Sequence, residues 1–264
     1  MEKKKPIGIF DSGIGGLTVA KAISTLLPNE QIIYFGDTAH FPYGDKSEES
    51  IKKYSKGISE FLLKQNCKTI IIACNTASSL ASSFLRSFLP DNLPLIDVIL
   101  PVAKFLQSSN YEKVGVIATK GTVGSGIYSK RINELSPKIE VSSLATPLLA
   151  PMIEEAFFDN NISHTVINEY LSHQELENIQ ALILGCTHYP LIETEISQFY
   201  RSTNQNVFVV NSAKVVAKEV QRILKSKQFN INKKSRMCDY IILNNLDKKN
   251  VLQQIKKIKD MLND

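Results

Sequence analysis

Short apolar runs alternate with longer amphipathic segments along most of this chain. Segments such as 17–27 and 51–63 carry apolar residues at the 3.6-residue spacing of helices. The alternation predicts an α/β fold of mainly parallel sheets covered by helices. The runs with the length and composition of buried strands lie at 7–10, 31–36, 69–73, 95–98, 114–118, 140–144, 181–185 and 207–210.

The spacing of the strands repeats once along the chain. Two similar strand segments, containing Gly8 and Gly115, each lead into a polar loop with further glycine. Cys74 follows Gly8 by 66 positions, and Cys186 follows Gly115 by 71. This repeat predicts two similar, doubly wound α/β domains related by pseudo-symmetry. The alternative is a coincidental likeness between α/β strands.

Cys74 and Cys186 each follow a predicted strand and precede small polar residues. A strand that carries a thiol at its carboxyl end presents a reactive group to the crevice of an open α/β sheet. Because a helix start and hydrogen bonds favour the thiolate, we expect a lowered pKa at Cys74. The two thiols predict a site with two opposed acid/base groups. Cys67 and Cys238 are expected to be inert or merely exposed.

Polar loops follow other strands as well. The glycine-rich loop after Asp11 and Ser12 is suited either to an anion or to a tight, capped turn. It lacks the spacing of a phosphate-binding nucleotide loop. Thr119 and Thr122 are suited to a carboxylate or to plain helix capping.

His188 lies two positions after Cys186 and leaves three interpretations open. A Cys–His nucleophile pair lacks a third group at any recognisable position, and the spacing is poor for zinc. The third interpretation is a thiol acid/base with His188 as its partner. Glu154 is predicted to begin a helix, where its charge would complement the helix dipole. Ser212 is predicted to cap a helix that runs to about Leu224.

Composition excludes several classes of protein. No apolar stretch approaches the roughly 20 residues of a membrane span, and the basic N-terminus precedes no signal-peptide core. We therefore expect a cytoplasmic protein with reduced thiols and no membrane contact. Residues 221–264 carry 11 Lys/Arg and 4 Asp, a net charge of +7. Their Ile/Leu pattern favours a solvated helix face over a nucleic-acid site, so no nucleic acid is expected.

Five motifs together resemble the motif set of bacterial glutamate racemases, in order and spacing across about residues 7–212. The resemblance implies a cofactor-independent enzyme, without metal, that interconverts L- and D-glutamate and supplies D-glutamate for peptidoglycan synthesis. It also implies a homodimer. The motifs are Asp-Ser-Gly-Ile-Gly-Gly-Leu at 11–17, Gly-Asp at 36–37, Pro-Tyr-Gly at 42–44, Cys-Asn-Thr-Ala-Ser at 74–78 and Gly-Cys-Thr-His at 185–188.

The resemblance also assigns roles to positions of this chain. It makes Cys74 and Cys186 the two proton donor/acceptors, with Asp11 and His188 as polar partners and Glu154 near the second cysteine. Cys186 would meet L-glutamate and Cys74 D-glutamate. The expected substrate contacts, including the Thr119–Thr122 loop, are Asp11, Ser12, Tyr43, Gly44, Asn75, Thr76, Thr119, Thr122, Thr187 and His188.

The resemblance further implies two α/β domains with the active site in the cleft between them. In the family fold the C-terminal segment returns to the first domain, so the expected domains are 1–97 plus 212–264, and 98–211. The chain departs from the family at His40, where arginine is more usual, and around 244–246, which lacks a glycine-containing turn.

Two other functions stay open. One is an aspartate or hydantoin racemase, although aspartate racemases usually carry an acidic residue at the position of His188. The other is a non-catalytic amino-acid-binding protein with a hinged cleft, which would need neither thiol.

Overall fold

The computed structural model describes residues 5–158, 160–226 and 240–243. Each of the eight predicted strands is present, with its ends within one residue of the prediction. The strands are β1 (Ile7–Asp11), β2 (Ile32–Gly36), β3 (Thr69–Ile72), β4 (Leu95–Asp97), β5 (Lys113–Ala118), β6 (Glu140–Ala145), β7 (Ala181–Gly185), β8 (Phe208–Val210) and β9 (Tyr240–Leu243). The predictions did not include β9.

Helices connect successive strands, as the apolar spacing predicts. They are α1 (Leu17–Leu26), α2 (Glu48–Lys64), α3 (Asn75–Phe88), α4 (Ile99–Gln107), α5 (Lys120–Gly124), α6 (Ile127–Leu135), α7 (Leu149–Glu154), α8 (Asn161–Leu171), α9 (Glu193–Ser202) and α10 (Ser212–Ser226). In the described part of the chain, no helix is long and apolar enough to cross a membrane.

The strands form two parallel sheets of matching topology. The first sheet has the order β4-β3-β1-β2-β9, and the second has the order β6-β5-β7-β8. Read in reverse, the second order places β8, β7, β5 and β6 where the first places β4, β3, β1 and β2. The predicted fold class of two similar, pseudo-symmetric α/β units with parallel sheets is therefore confirmed. Cys74 follows β3 and Cys186 follows β7, so the two cysteines occupy equivalent positions.

A shared apolar core joins the two sheets. One cluster of buried side chains contains Ile9 of the first sheet, Val116 of the second and Val216 of α10. Helix α10 packs on both α1 and α4. Because strands buried on both faces are nearly continuous apolar runs, β1, β3 and β7 are buried along their whole length. This core fixes the carboxyl edges of the two sheets relative to each other.

Two local predictions about helix ends are wrong. Glu154 ends α7 rather than beginning a helix, so its charge does not complement a helix start. Ser212 does not cap α10; its hydroxyl donates to the carbonyl of Leu184 at 3.1 Å. Asn211 takes that role, because its Oδ1 accepts the amide of Lys214 at 3.2 Å. Cys238 and the apolar pattern at 251–262 lie outside the described residues.

A buried ion pair stands at the amino edge of the first sheet. Nζ of Lys68, just before β3, lies 2.5 Å from Oε2 of Glu30, just before β2. The two side chains are 3% and 0% exposed. Removal of one member of such a pair leaves the other charge buried without compensation.

We therefore expect Lys68→Met to lower the free energy of unfolding by about 3 kcal/mol. Replacing both members, as Lys68→Met with Glu30→Leu, is expected to restore most of that loss. The matched control is Lys52→Met, which breaks the exposed pair with Glu48 and should cost less than about 1 kcal/mol. Urea unfolding followed by circular dichroism measures all three. Equal losses for the two single variants would contradict this role for the buried pair.

Candidate active site

Cys74 forms the N-cap of α3 at the carboxyl edge of the first sheet. Its Sγ accepts the amide of Ala77 at 3.4 Å and donates to Oγ of Ser12 at 3.7 Å. Burial raises the pKa of the Cys74 thiol to about 12, and the charge of Asp11 adds to this effect. The Ala77 and Ser12 contacts lower the pKa but do not offset burial. The predicted lowering of the Cys74 pKa is therefore wrong.

Cys186 lies in a chain of hydrogen bonds at the carboxyl edge of the second sheet. Nδ1 of His188 is 3.6 Å from the Cys186 Sγ, and Nε2 of the same ring is 2.5 Å from Oε2 of Glu154. Burial lowers the pKa of His188, but the hydrogen bonds to Cys186 and Glu154 and their charges outweigh it and raise the pKa well above its usual value. An imidazolium has an N–H on each nitrogen, so it can donate to both partners at once.

Glu154, which the resemblance puts near the second cysteine, is thus the third group beside Cys186 and His188. The three side chains are buried, with Cys186 6% and Glu154 7% exposed. Glu154 lies 34 positions before His188, and no local spacing links the two.

Asp11 lies between the two cysteine environments. Its Oδ2 accepts the amide of Gly13 at 2.9 Å, and its Oδ1 accepts the hydroxyl of Thr187 at 3.3 Å. Burial raises the pKa of Asp11, while the positive charge of His188 and the Gly13 amide act against this effect. Asp11 therefore contacts the loop after Cys186 directly and acts on Cys74 through its charge.

The two thiols belong to one site. The charge of Cys186 contributes to the raised pKa of Cys74, so the two sulfurs lie within electrostatic reach of each other. The glycine-rich loop of the first sheet packs directly against the second: a Cβ on Gly15 would lie 2.6 Å from the His188 ring and 2.7 Å from Thr187. Glycine at this position permits the close approach.

Threonine hydroxyls close the other side of the cleft. Oγ1 of Thr76, on α3, lies 2.9 Å from Oγ1 of Thr119 and 3.3 Å from that of Thr122. Thr119 also caps α5, accepting the amide of Thr122 at 3.4 Å, so capping and a position at the site occur together. Gly44 packs against the same threonine, since a Cβ there would lie 2.9 Å from the Thr119 Cβ.

The loop after β2 is organised around Asp37, a residue that the sequence left without a role. Oδ2 of Asp37 accepts the hydroxyl of Tyr43 at 2.5 Å, and its Oδ1 lies 2.8 Å from Nδ1 of His40. The His40 ring stacks on Tyr54 with centroids 3.8 Å apart. The Tyr43 hydroxyl is thus held by Asp37. His40, the departure from the usual arginine, contacts the same carboxylate.

A second unpredicted contact joins the two units at the start of α3. The hydroxyl of Tyr128, on α6, donates to Oδ1 of Asn75 at 2.7 Å. No motif marks Tyr128, because its partner lies 53 positions away. The sequence could indicate this tyrosine only through its place on the inward side of α6, which predicts that it is buried.

The assembled groups are suited to proton exchange with a bound molecule. Two buried thiols, each with a hydrogen-bonding partner, lie within electrostatic reach of each other, and carboxylates, hydroxyls and an imidazole surround them. Over the described ranges, no group of three or more His, Cys, Asp and Glu side chains is arranged to hold a metal ion.

Comparisons with known proteins show the family of the chain. The Asp/Glu/Hydantoin racemase family model matches residues 15–220. A glutamate racemase of Geobacter metallireducens is 43% identical over 222 residues, which are 84% of this chain and 80% of that protein.

Solved structures show the same similarity. The Francisella tularensis glutamate racemase in complex with D-glutamate is 38% identical, with a TM-score of 0.86 and coverage of 98% of this chain and 93% of that one. The Escherichia coli glutamate racemase in complex with L-glutamate and the activator UDP-MurNAc-ala is 25% identical, with a TM-score of 0.76 and coverage of 96% and 95%. The fold, the family match over most of the chain and these relatives lead to one conclusion: the chain belongs to the Asp/Glu/Hydantoin racemase family of isomerases.

Proposed function

We propose that this protein is a cofactor-independent glutamate racemase that uses Cys74 and Cys186 as its two acid/base groups. The observation that carries the proposal is the placement of two buried cysteines, at equivalent positions of two equivalent sheets, within electrostatic reach of each other. The similarity to racemases solved with L-glutamate and with D-glutamate supports the choice of substrate.

In the proposed reaction, Cys186 removes the α-proton of L-glutamate and Cys74 donates a proton to the opposite face. His188, protonated and oriented by Glu154, donates a hydrogen bond to the Cys186 sulfur and so stabilises its thiolate. Cys74 is held as a thiol by burial, which is the form that delivers a proton. The reverse reaction exchanges these roles.

When Cys74 acts as the base, other groups must stabilise its thiolate. The Ala77 amide and the Ser12 hydroxyl contact its sulfur and lower its pKa. The α-ammonium of the substrate would add a positive charge to the cleft on binding. Asp11 is the proposed acceptor for that ammonium, since its carboxylate lies between the two cysteine environments.

The substrate carboxylates need donors. Helix α3 begins at Asn75, so its first amides and its dipole favour an anion at this point. The hydroxyls of Thr76 and Thr119 lie beside that helix start. We propose that these groups, with the backbone around Ser12 and Thr187, stabilise the negative charge that develops on the substrate during proton removal.

We further propose that the D-glutamate product supplies peptidoglycan synthesis in the cytoplasm, and that the enzyme acts as a homodimer with domains 1–97 plus 212–264 and 98–211. Rescue of a D-glutamate auxotroph by the gene tests the first proposal, and sedimentation equilibrium tests the dimer. Limited proteolysis that releases fragments with other boundaries would contradict the domain assignment.

The test of the reaction follows optical activity after addition of L-glutamate, with L-aspartate in a parallel sample. We expect loss of optical activity with L-glutamate and none with L-aspartate. In D2O, the first D-glutamate formed should carry deuterium at Cα, because the donating thiol exchanges with solvent. Racemisation of aspartate alone would favour the aspartate racemase, and tight glutamate binding without turnover would favour a binding protein.

We expect Cys74→Ser and Cys186→Ser each to lower kcat by about a thousandfold in both directions, since each removes one acid/base group. The matched control is Cys67→Ser, a buried thiol outside the cleft, which should retain kcat. Circular dichroism checks that all three variants are folded. Near-normal turnover by either of the first two variants would refute the two-thiol mechanism.

The proton on His188 is expected to depend on Glu154. In the unaltered protein the raised pKa keeps the ring charged through neutral pH. In Glu154→Gln the stabilising charge is lost while burial still lowers the pKa, so deprotonation should move to lower pH and the basic limb of the rate profile with it.

Nitrogen-15 NMR of the His188 ring measures this titration directly. The control is Glu155→Gln, an exposed position one residue along with the same loss of charge. An unchanged titration in Glu154→Gln would remove Glu154 from the proposed mechanism.

A further inference from the structure

We propose that Tyr128 is a positioning residue that fixes the orientation of the Asn75 side-chain amide, so that Nδ2 of Asn75 faces a carboxylate of the amino-acid substrate. The proposal rests on the proposed function for the identity of that carboxylate. It assigns to α6 of the second unit an indirect part in substrate recognition, through Asn75 of the first.

The geometry at Asn75 is that of a half-satisfied amide. The Tyr128 hydroxyl donates to Oδ1 at 2.7 Å. Nδ2 is buried and has no hydrogen-bond partner among the described residues. Both residues are 3% exposed, so bulk water does not satisfy the donor. A buried amide N–H without a partner is costly, which indicates that a ligand supplies the acceptor.

The location of this donor points to the ligand. Asn75 is the first residue of α3 and directly follows Cys74. The charge of Cys186 contributes to a raised pKa at Tyr128, so the phenol also lies within reach of the second thiol. The Tyr128–Asn75 pair therefore lies beside Cys74 and within electrostatic reach of Cys186, where a carboxylate of a bound amino acid can accept a hydrogen bond from Nδ2.

The hydroxyl determines which end of the amide faces the cleft. An asparagine amide presents a donor at Nδ2 or an acceptor at Oδ1, and a carboxylate accepts only the donor. Burial, together with the charges of Asp97 and Cys186, raises the pKa of Tyr128, so the phenol keeps its proton and acts as a donor. A donor is best satisfied by Oδ1, which leaves Nδ2 for the substrate.

Loss of the hydroxyl removes this selection. In Tyr128→Phe the Oδ1 atom has no partner, and the flipped amide would place an acceptor against a carboxylate. The contact with a carboxylate exists in the bound ground state as well as the transition state, so its loss should appear mainly in KM. We expect Tyr128→Phe to raise KM for L- and D-glutamate by about tenfold, with a smaller change in kcat.

The experiment is a double-mutant cycle of Tyr128→Phe and Asn75→Ala, measured as KM and kcat in both directions. If Tyr128 acts through Asn75, the double variant should have the KM of Asn75→Ala alone. The matched control is Tyr200→Phe, which removes a buried tyrosine hydroxyl that has no partner in the described structure and should leave KM unchanged. Thermal unfolding of each variant separates loss of stability from loss of binding.

Several outcomes would overturn the proposal. Independent, multiplying increases in KM for the two changes would show that Tyr128 does not act through Asn75, and an equal increase in Tyr200→Phe would show a general effect of removing a buried hydroxyl. Titration calorimetry with D-glutamate keeps the test separate from the proposed function. A protein that binds D-glutamate without racemising it would refute the racemase, while affinities across the cycle would still reveal or exclude the coupling.

Discussion

The site depends on the packing that holds the carboxyl edges of two parallel sheets against each other. Helix α10 lies on α1 and α4, and the apolar cluster beneath it contains side chains of both sheets. Because the chain direction in each sheet is uniform, every strand ends at the same edge, and the residues just beyond β3 and β7 become opposed groups. The shared core thus brings the ends of β3 and β7, and the thiols that follow them, into one site.

Burial of the site destabilises charged groups, and the two units compensate for this effect in different ways. Burial disfavours both a thiolate and a carboxylate, which explains the raised pKa of Cys74 and of Asp11. The second unit places a cation beside its thiol and holds that cation with Glu154. In the first unit, a hydroxyl and a helix-start amide contact the thiol instead. The fold is duplicated, but the chemistry around the two sulfurs is not.

The sequence predicts features that arise from local pattern and misses those that arise from contacts between residues far apart in the chain. Strands and the positions of both cysteines follow from local apolar pattern, because a buried parallel strand is a continuous run whose end is marked by polar residues. The Glu154–His188 and Tyr128–Asn75 contacts join residues 34 and 53 positions apart, which no local pattern records. The predicted direction of the Cys74 pKa shift is also wrong, since the shift depends on burial by the whole fold and not on the neighbouring helix start. The prediction for Glu154 fails for a related reason: a carboxylate near a helix boundary is typical of an interaction with the helix dipole, whereas the partner of Glu154 is an imidazole on another loop.

The asymmetry between the two thiols must be reconciled with a reaction that has no thermodynamic direction. L- and D-glutamate have equal free energies in water, so the equilibrium constant is one and kcat/KM must be equal for the two enantiomers whatever the protein does. The different surroundings of Cys74 and Cys186 therefore cannot favour one product. They can change only the separate values of kcat and KM in each direction, through the stability of each bound enantiomer. In the proposed mechanism, a free enzyme with Cys74 held as a thiol and the Cys186 sulfur hydrogen-bonded to an imidazolium accepts the L-enantiomer. It must redistribute one proton before it accepts the D-enantiomer. In that step the Cys74 thiolate must be stabilised by Ser12, the Ala77 amide and the charge of the substrate. The first unit, whose thiol has the weaker electrostatic support, therefore depends most on the bound substrate.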